Sequence, residues 1–105
     1  MITLVFYMKD GKCCGFHCTG HADYAKKGRD DIVCAGVSAL VINCVNSIEK
    51  LTEDRADIEQ ADGSVFCMIK SPVSTESELF LKSLRLGVEY ISKEYRRYVR
   101  IVEEE

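Results

Sequence analysis

Two side chains in the first third of the chain could together perform nucleophilic chemistry. One of only two histidines, His21, opens a charged stretch that ends close to Cys34. A cysteine in the first turn of a helix has a lowered pKa, because the unpaired N–H groups there carry partial positive charge. A histidine within hydrogen-bond reach can take the thiol proton and return it to a leaving amine. The pair is therefore a candidate nucleophile and general base/acid, and the simpler interpretation of Cys34 is a buried helix cysteine.

Two further residues could support this pair. Asp31 precedes the helix, where its carboxylate can accept the backbone N–H of Cys34 as an N-cap. It could instead orient His21, as the third member of a triad does. Ser38 lies one turn after Cys34 and could hydrogen-bond the thiol or a substrate, although such a serine more often bonds a helix carbonyl.

Backbone groups near the helix start could also take part. The N–H groups of Cys34 and Ala35 are candidates to stabilise an oxyanion. Gly20 and Gly36 have no side chain, so another backbone or a substrate could approach closely at these positions.

A rival cluster of soft ligands precedes the charged stretch. It runs Cys13-Cys14-x-x-His17-Cys18-x-x-His21 and invites a zinc interpretation. On a strand, however, Cys14 and Cys18 face one side while Cys13 and His17 face the other. Neither C-x-x-C spacing nor a second ligand pair follows. We expect no metal and no cofactor, and keep as the alternative a non-catalytic zinc- or redox-binding module of Cys14, Cys18, His21 and Cys34.

Composition limits the class of protein. The 105 residues predict one domain, 1–105, and the 47% apolar and 30% charged residues are typical of a globular protein. We see neither a signal peptide nor an apolar run of the length that a membrane span needs. The six cysteines are therefore expected to be reduced, in the cytoplasm. A net charge of -3 argues against direct nucleic-acid binding and leaves room for a basic partner.

The elements that must position these residues follow from periodicity and turn signals. Asp10-Gly11 and Asp62-Gly63 each separate two strand-like runs and predict two hairpins. Apolar residues spaced by three and four predict a helix from Ile32 to about Leu51, and a second after a capping box, Thr75-x-x-Glu78. A short strand near Tyr98 to Val102 ends the chain. The order β-β-α-β-β-α-β predicts an α+β two-layer sandwich, with both helices on one face of a largely antiparallel sheet.

Two motifs add a resemblance to this interpretation. Gly20-His21-Ala22, and then Asp31-Ile32-Val33-Cys34-Ala35-Gly36-Val37-Ser38-Ala39, closely resemble the ribosomal-processing cysteine protease family Prp. The similarity extends over nearly the whole chain, and the two motifs in combination are highly specific.

The resemblance implies a concrete function. Prp enzymes are small homodimeric bacterial cysteine proteases that remove an N-terminal extension from a large-subunit ribosomal protein. The family's catalytic cysteine falls on Cys34 and its histidine on His21, with Asp31 and Ser38 as supporting residues. Its mobile loop corresponds to Ala22 through Asp30. A third hypothesis, a ribosome-associated binding domain, predicts binding of the same partner without cleavage.

Overall fold

The chain forms two layers, one of strands and one of helices. The computed structural model describes residues 1–21 and 31–105. Its elements are β1 (Ile2–Lys9), β2 (Lys12–Thr19), α1 (Ile32–Leu51), β3 (Ala56–Ala61), β4 (Ser64–Ile69), α2 (Thr75–Glu94) and β5 (Val99–Glu104). This confirms the predicted element order and α+β class. The predicted loop from Ala22 to Asp30 lies outside the described residues.

The five strands form one sheet in the order β3-β4-β2-β1-β5. Only β1 and β5 pair in parallel; the other three pairs are antiparallel. Asp10 and Gly11 both have positive φ, 52° and 78°, as the predicted tight turn between β1 and β2 requires. Because β4 pairs with the central strand β2, the second hairpin forms one edge of the sheet, and its turn lies beside the end of β2.

Both helices bury an apolar stripe against the same face of the sheet. Helix α1 has a buried side chain at every third or fourth position from Val33 to Ile48. The row of buried side chains on α2 is shorter and runs from Ser77 to Val88. Opposite them, the strands contribute Leu4, Phe6, Phe16 and Cys67, none of which is exposed to solvent. Removing such side chains from water is the main favourable term in folding. The core thus lies between the layers, and the helices are fixed relative to the strand ends.

Among residues 1–21 and 31–105, no layer covers the other face of the sheet, called the open face below. Alternate strand residues point to it, and three of them form an aromatic cluster. The ring of Phe66 lies 5.6 Å from that of His17 and 6.3 Å from that of Tyr7, centroid to centroid. The Nε2 atom of His17 lies 3.0 Å from the hydroxyl of Ser64. His17 therefore belongs to this open face, not to the helix-facing side.

Two expectations about the helices need correction. The cap of α2 is Ser74, whose hydroxyl accepts the N–H of Ser77 at 3.1 Å, one residue before the predicted capping box. No apolar run of membrane-spanning length was expected, yet α1 has 20 residues and contains a window of mean hydropathy 1.7. By length and composition alone, a helix of this kind is long and apolar enough to cross a membrane. Its buried stripe packs on the sheet, which is the arrangement of a core helix.

Candidate active site

The ends of three elements meet at one corner of the molecule. The end of β2, the start of α1 and the β3–β4 turn enclose a cleft of about 220 Å³. The cleft brings together His21, Cys34 and Ser38, three of the residues singled out by sequence analysis. Its remaining lining is formed by Ile2, Cys18, Gly20, Val37, Ala61, Asp62, Gly63, Ser64 and Val65.

Asp31 caps the helix that carries Cys34. One of its carboxylate oxygens, Oδ1, accepts the backbone N–H groups of Val33 at 3.0 Å and Cys34 at 3.1 Å. The backbone of Asp31 is extended, as an N-cap requires. Cys34 is thereby held in the first turn, half-buried at the wall of the cleft. The structure thus shows the capping role of Asp31 directly.

The N–H groups of Cys34 and Ala35, which were expected to stabilise an oxyanion, both have partners in this structure. The N–H of Cys34 already donates to the carboxylate of Asp31. The N–H of Ala35 donates to the backbone carbonyl of Asp31 at 3.0 Å, the regular helical bond. A helix offers free N–H groups only before its ladder begins. Both groups are therefore occupied by Asp31 and point along the helix.

The two glycines named in advance lie in different surroundings. Gly20 has φ of 92°, and a Cβ there would collide with the backbone carbonyl oxygen of Met1. Its missing side chain lets β2 turn sharply toward His21. At Gly36, a Cβ would lie 3.4 Å from the Cδ1 atom of Ile91 on α2, an ordinary contact. The space at Gly36 belongs to the helix–helix contact.

The structure separates the cysteines of the zinc alternative. Cys18 lines the cleft with His21 and Cys34, whereas Cys14 lines a different cavity beside the β1–β2 turn. Four residues of strand place these two cysteines about 13 Å apart. The Cys14 thiol donates to the carbonyl of Tyr7 at 3.3 Å. Within residues 1–21 and 31–105, no three His, Cys, Asp or Glu side chains are grouped to hold a metal ion.

The thiol beside Cys34 is poorly suited to attack. Burial, with a smaller contribution from Cys34, raises the pKa of Cys18 to about 11. Since the thiolate is the attacking species, Cys18 is almost entirely an inert thiol at neutral pH. Burial likewise raises the pKa of Cys44 to about 12 and that of Cys67 to about 11. Cys44 and Cys67 are buried in the core, and Cys18 is partly buried against it.

The sequence analysis missed the contribution of the β3–β4 turn to the cleft. It identified Asp62-Gly63 only as a hairpin turn. It could not show that the turn lies against His21, because that contact depends on the pairing of β2 with β4. Asp62 and Gly63 are therefore additional site residues. The only signal for these two residues in the sequence was the Asp-Gly pair, which is typical of a tight turn.

A first-turn cysteine and a histidine in one cleft are the parts of a cysteine hydrolase, and comparison with known proteins specifies the class. A family model described as cysteine protease Prp matches residues 1–100. The ribosomal processing cysteine protease Prp of Staphylococcus aureus strain Mu50 is 36% identical over 104 residues, which cover 96% of this chain and 97% of that protein. The protein described here is thus a cysteine protease, a peptide hydrolase.

Solved structures agree over the entire length. The S. aureus processing protease Prp with a covalently linked product peptide superposes with a TM-score of 0.90 at 33% identity, covering 99% of this chain and all of that one. The same enzyme with a substrate peptide gives 0.87 at 33% identity, with the same coverage of both chains. The chain belongs to the Prp family of cysteine proteases.

Proposed function

We propose that Cys34 is the nucleophile of this protease and that His21 is its general base and acid. The observation that carries the proposal is the shared cleft: Cys34 in the first turn of α1 and His21 at the end of β2. No other cysteine combines these features. Cys18 lines the same cleft but has a raised pKa, and Cys14 lies at the opposite end of β2.

The reaction proceeds in two halves. The Cys34 sulfur gives its proton to His21 and attacks the scissile carbonyl carbon. The C–N bond breaks as His21 donates that proton to the leaving amine, and the acyl part stays on the sulfur as a thioester. His21 then takes a proton from water, which attacks the thioester and releases the carboxylate product and the thiol. The step needs no cofactor.

The proposed substrate is the N-terminal extension of a large-subunit ribosomal protein. The support is the relatives' description as ribosomal processing proteases, one of them with a product peptide attached. Charge agrees with a basic substrate: the chain carries a net -3, and Asp62 contributes a carboxylate to the cleft lining. Opposite charge raises the rate of encounter and helps fix the register of binding. With this substrate we also propose a cytoplasmic location for the enzyme.

We further propose that the chain acts as a homodimer, without binding nucleic acid or a membrane directly. The open face of the sheet supports self-association, because the described residues place no layer over its half-buried aromatic cluster of Tyr7, His17 and Phe66. Apolar surface that is gathered in one patch of a small domain is one mark of a protein–protein contact.

The test is cleavage of the extended ribosomal protein, followed by intact mass, with a chelator present. Wild type is expected to make a single N-terminal cut. General base catalysis is worth about 10²–10⁴-fold, so His21→Ala should lower kcat at least about 100-fold, and Cys34→Ala should abolish cleavage. Cys14→Ala is the matched control, a cysteine outside the cleft, and should cleave as wild type does.

Each alternative outcome points to a different function. If folded, reduced wild type binds the extended protein and does not cut it, the chain is a ribosome-associated binding domain. If the chelator unfolds the chain and stoichiometric metal is released, the zinc module is correct. If Cys34→Ala still cuts, the nucleophile has been assigned to the wrong residue.

A further inference from the structure

The β3–β4 turn lies directly against the imidazole of His21. A Cβ built on Gly63 would lie 2.9 Å from the Nε2 atom of His21, 3.5 Å from Cε1 and 3.6 Å from Cδ2. Three atoms of the ring thus come within van der Waals range of that one position. The backbone of the turn therefore forms a wall behind one side of the ring.

The same turn also holds the backbone that leads into His21. The N–H of Gly20 donates to the carbonyl of Gly63 at 2.9 Å. Gly20 and Gly63 both have positive φ, 92° and 72°, which is strained for residues with a side chain. The turn thus fixes the residue before His21 by a hydrogen bond and restricts its ring by contact.

We infer that Gly63 is a positioning residue for His21: the bare backbone of the β3–β4 turn sets where the imidazole sits in the cleft. This inference rests on the proposed role of His21 as general base. Proton transfer needs a heavy-atom separation of about 2.6–3.2 Å. A methyl group on Gly63 would meet Nε2 closer than real Cβ atoms approach, so the ring would have to move. A misplacement of about 1 Å can lower a rate by about 10²-fold.

The chain supplies a matched control in its other hairpin. Gly11, in the β1–β2 turn, has φ of 78°, close to the 72° of Gly63. A Cβ on Gly11 meets nothing within 4 Å. Gly11→Ala and Gly63→Ala therefore each place a side chain on a residue of similar positive φ, but only the second variant touches His21.

The experiment compares these variants by two readouts. The first is kcat and KM for cleavage. The second is the pH profile of iodoacetamide alkylation at Cys34, read by mass spectrometry of the Cys34 peptide; it needs no substrate. Gly63→Ala is expected to lower kcat by about 10-fold or more with a smaller change in KM, and to shift the alkylation profile toward that of His21→Ala. Gly11→Ala should match wild type in both.

The outcomes separate this inference from the proposed function. If wild type and His21→Ala differ in the alkylation profile while Gly63→Ala matches Gly11→Ala, the positioning role is overturned and the Cys34–His21 pair stands. If wild type and His21→Ala share one profile, the pair itself is overturned, and the positioning role with it. If Gly63→Ala does not fold, Gly63→Asn against Gly11→Asn decides by the same readouts, because Asn tolerates positive φ yet carries a Cβ.

Discussion

At the scale of single residues, the acid beside the proposed nucleophile Cys34 acts on the backbone of the helix. Asp31 had two possible roles: to cap the helix or to orient His21. The structure shows its Oδ1 atom accepting the N–H groups of Val33 and Cys34. Those bonds satisfy donors that the helix cannot pair internally and fix the first turn, which carries the thiol.

Asparagine is about as good an N-cap as aspartate, which allows the two roles to be separated. Asp31→Asn should keep wild-type stability and cleavage, because its side-chain oxygen can accept the same N–H groups. Asp31→Ala should lower the free energy of unfolding by about 1 kcal/mol. Urea unfolding and kcat check both. A stable Asp31→Asn variant that has lost cleavage would show instead that the carboxylate orients His21.

At the scale of elements, one polar network joins the end of α1 to the start of α2. The backbone N–H and the hydroxyl of Ser74 donate to Asp54 Oδ2 at 3.1 and 2.6 Å. Thr52, the C-cap of α1, donates its hydroxyl to the carbonyl of Ile48 at 2.7 Å and accepts the N–H of Asp54 at 3.1 Å. The chain between the helices is therefore held by directed bonds at both helix ends.

This network makes stability depend on acid. Burial raises the pKa of Asp54, but the hydrogen bonds from Ser74 and Ser77 outweigh it and hold that pKa below its ordinary value. The folded state then binds fewer protons than the unfolded state, in which the pKa of the Asp54 carboxyl is about 3.9. Asp54 therefore stabilises the fold above about pH 4, and this contribution is lost as the pH falls through its lowered pKa.

Urea unfolding of wild type and Asp54→Asn between pH 6 and pH 3 tests this network. Wild type should be the more stable at pH 6, and the difference should shrink toward pH 3. Asp57→Asn is the control, because Asp57 forms an exposed ion pair with Lys70 at 3.7 Å and such pairs contribute little. A wild-type advantage that stays constant with pH would contradict the role given to the Asp54 charge.

At the scale of the whole molecule, the described part of the chain covers the sheet on one side only. Phe66, with Tyr7 and His17 around it, presents aromatic surface on the open face. A twofold dimer through this face would bury the same patch on both copies.

Replacing Phe66 by a charge should therefore disrupt the proposed dimer. Phe66→Lys is expected to sediment as a monomer, because two buried ammonium groups would face each other across the contact. Tyr90→Lys is the control on the helix layer, since Tyr90 is 69% exposed on α2, and it should sediment as wild type does. Thermal melts establish that both variants fold. Dissociation by Tyr90→Lys alone would place the contact on the helices, and a monomeric wild type would exclude the dimer.

Much of the fold followed from local patterns, and the exceptions have local causes. Period-three-and-four spacing located α1, and the Asp-Gly pairs located both hairpin turns, because these signals need no distant contact. The cap of α2 was misplaced by one residue, since Ser74 and Thr75 are both good caps. Ser74 is selected by Asp54, twenty positions earlier, to which it hydrogen-bonds.

The sequence alone determined the element order, the α+β class and the family, since the motifs around His21 and Cys34 are contiguous in the chain. Tertiary structure decided what strand pairing brings together. The pairing of β2 with β4 places Gly63 against His21, and the direction of β2 separates Cys14 from the cleft. It also shows that Asp31 accepts the backbone N–H groups of Cys34 and Ala35, which were expected to stabilise an oxyanion. Contacts between residues far apart in sequence depend on packing the whole sheet, which no local pattern encodes.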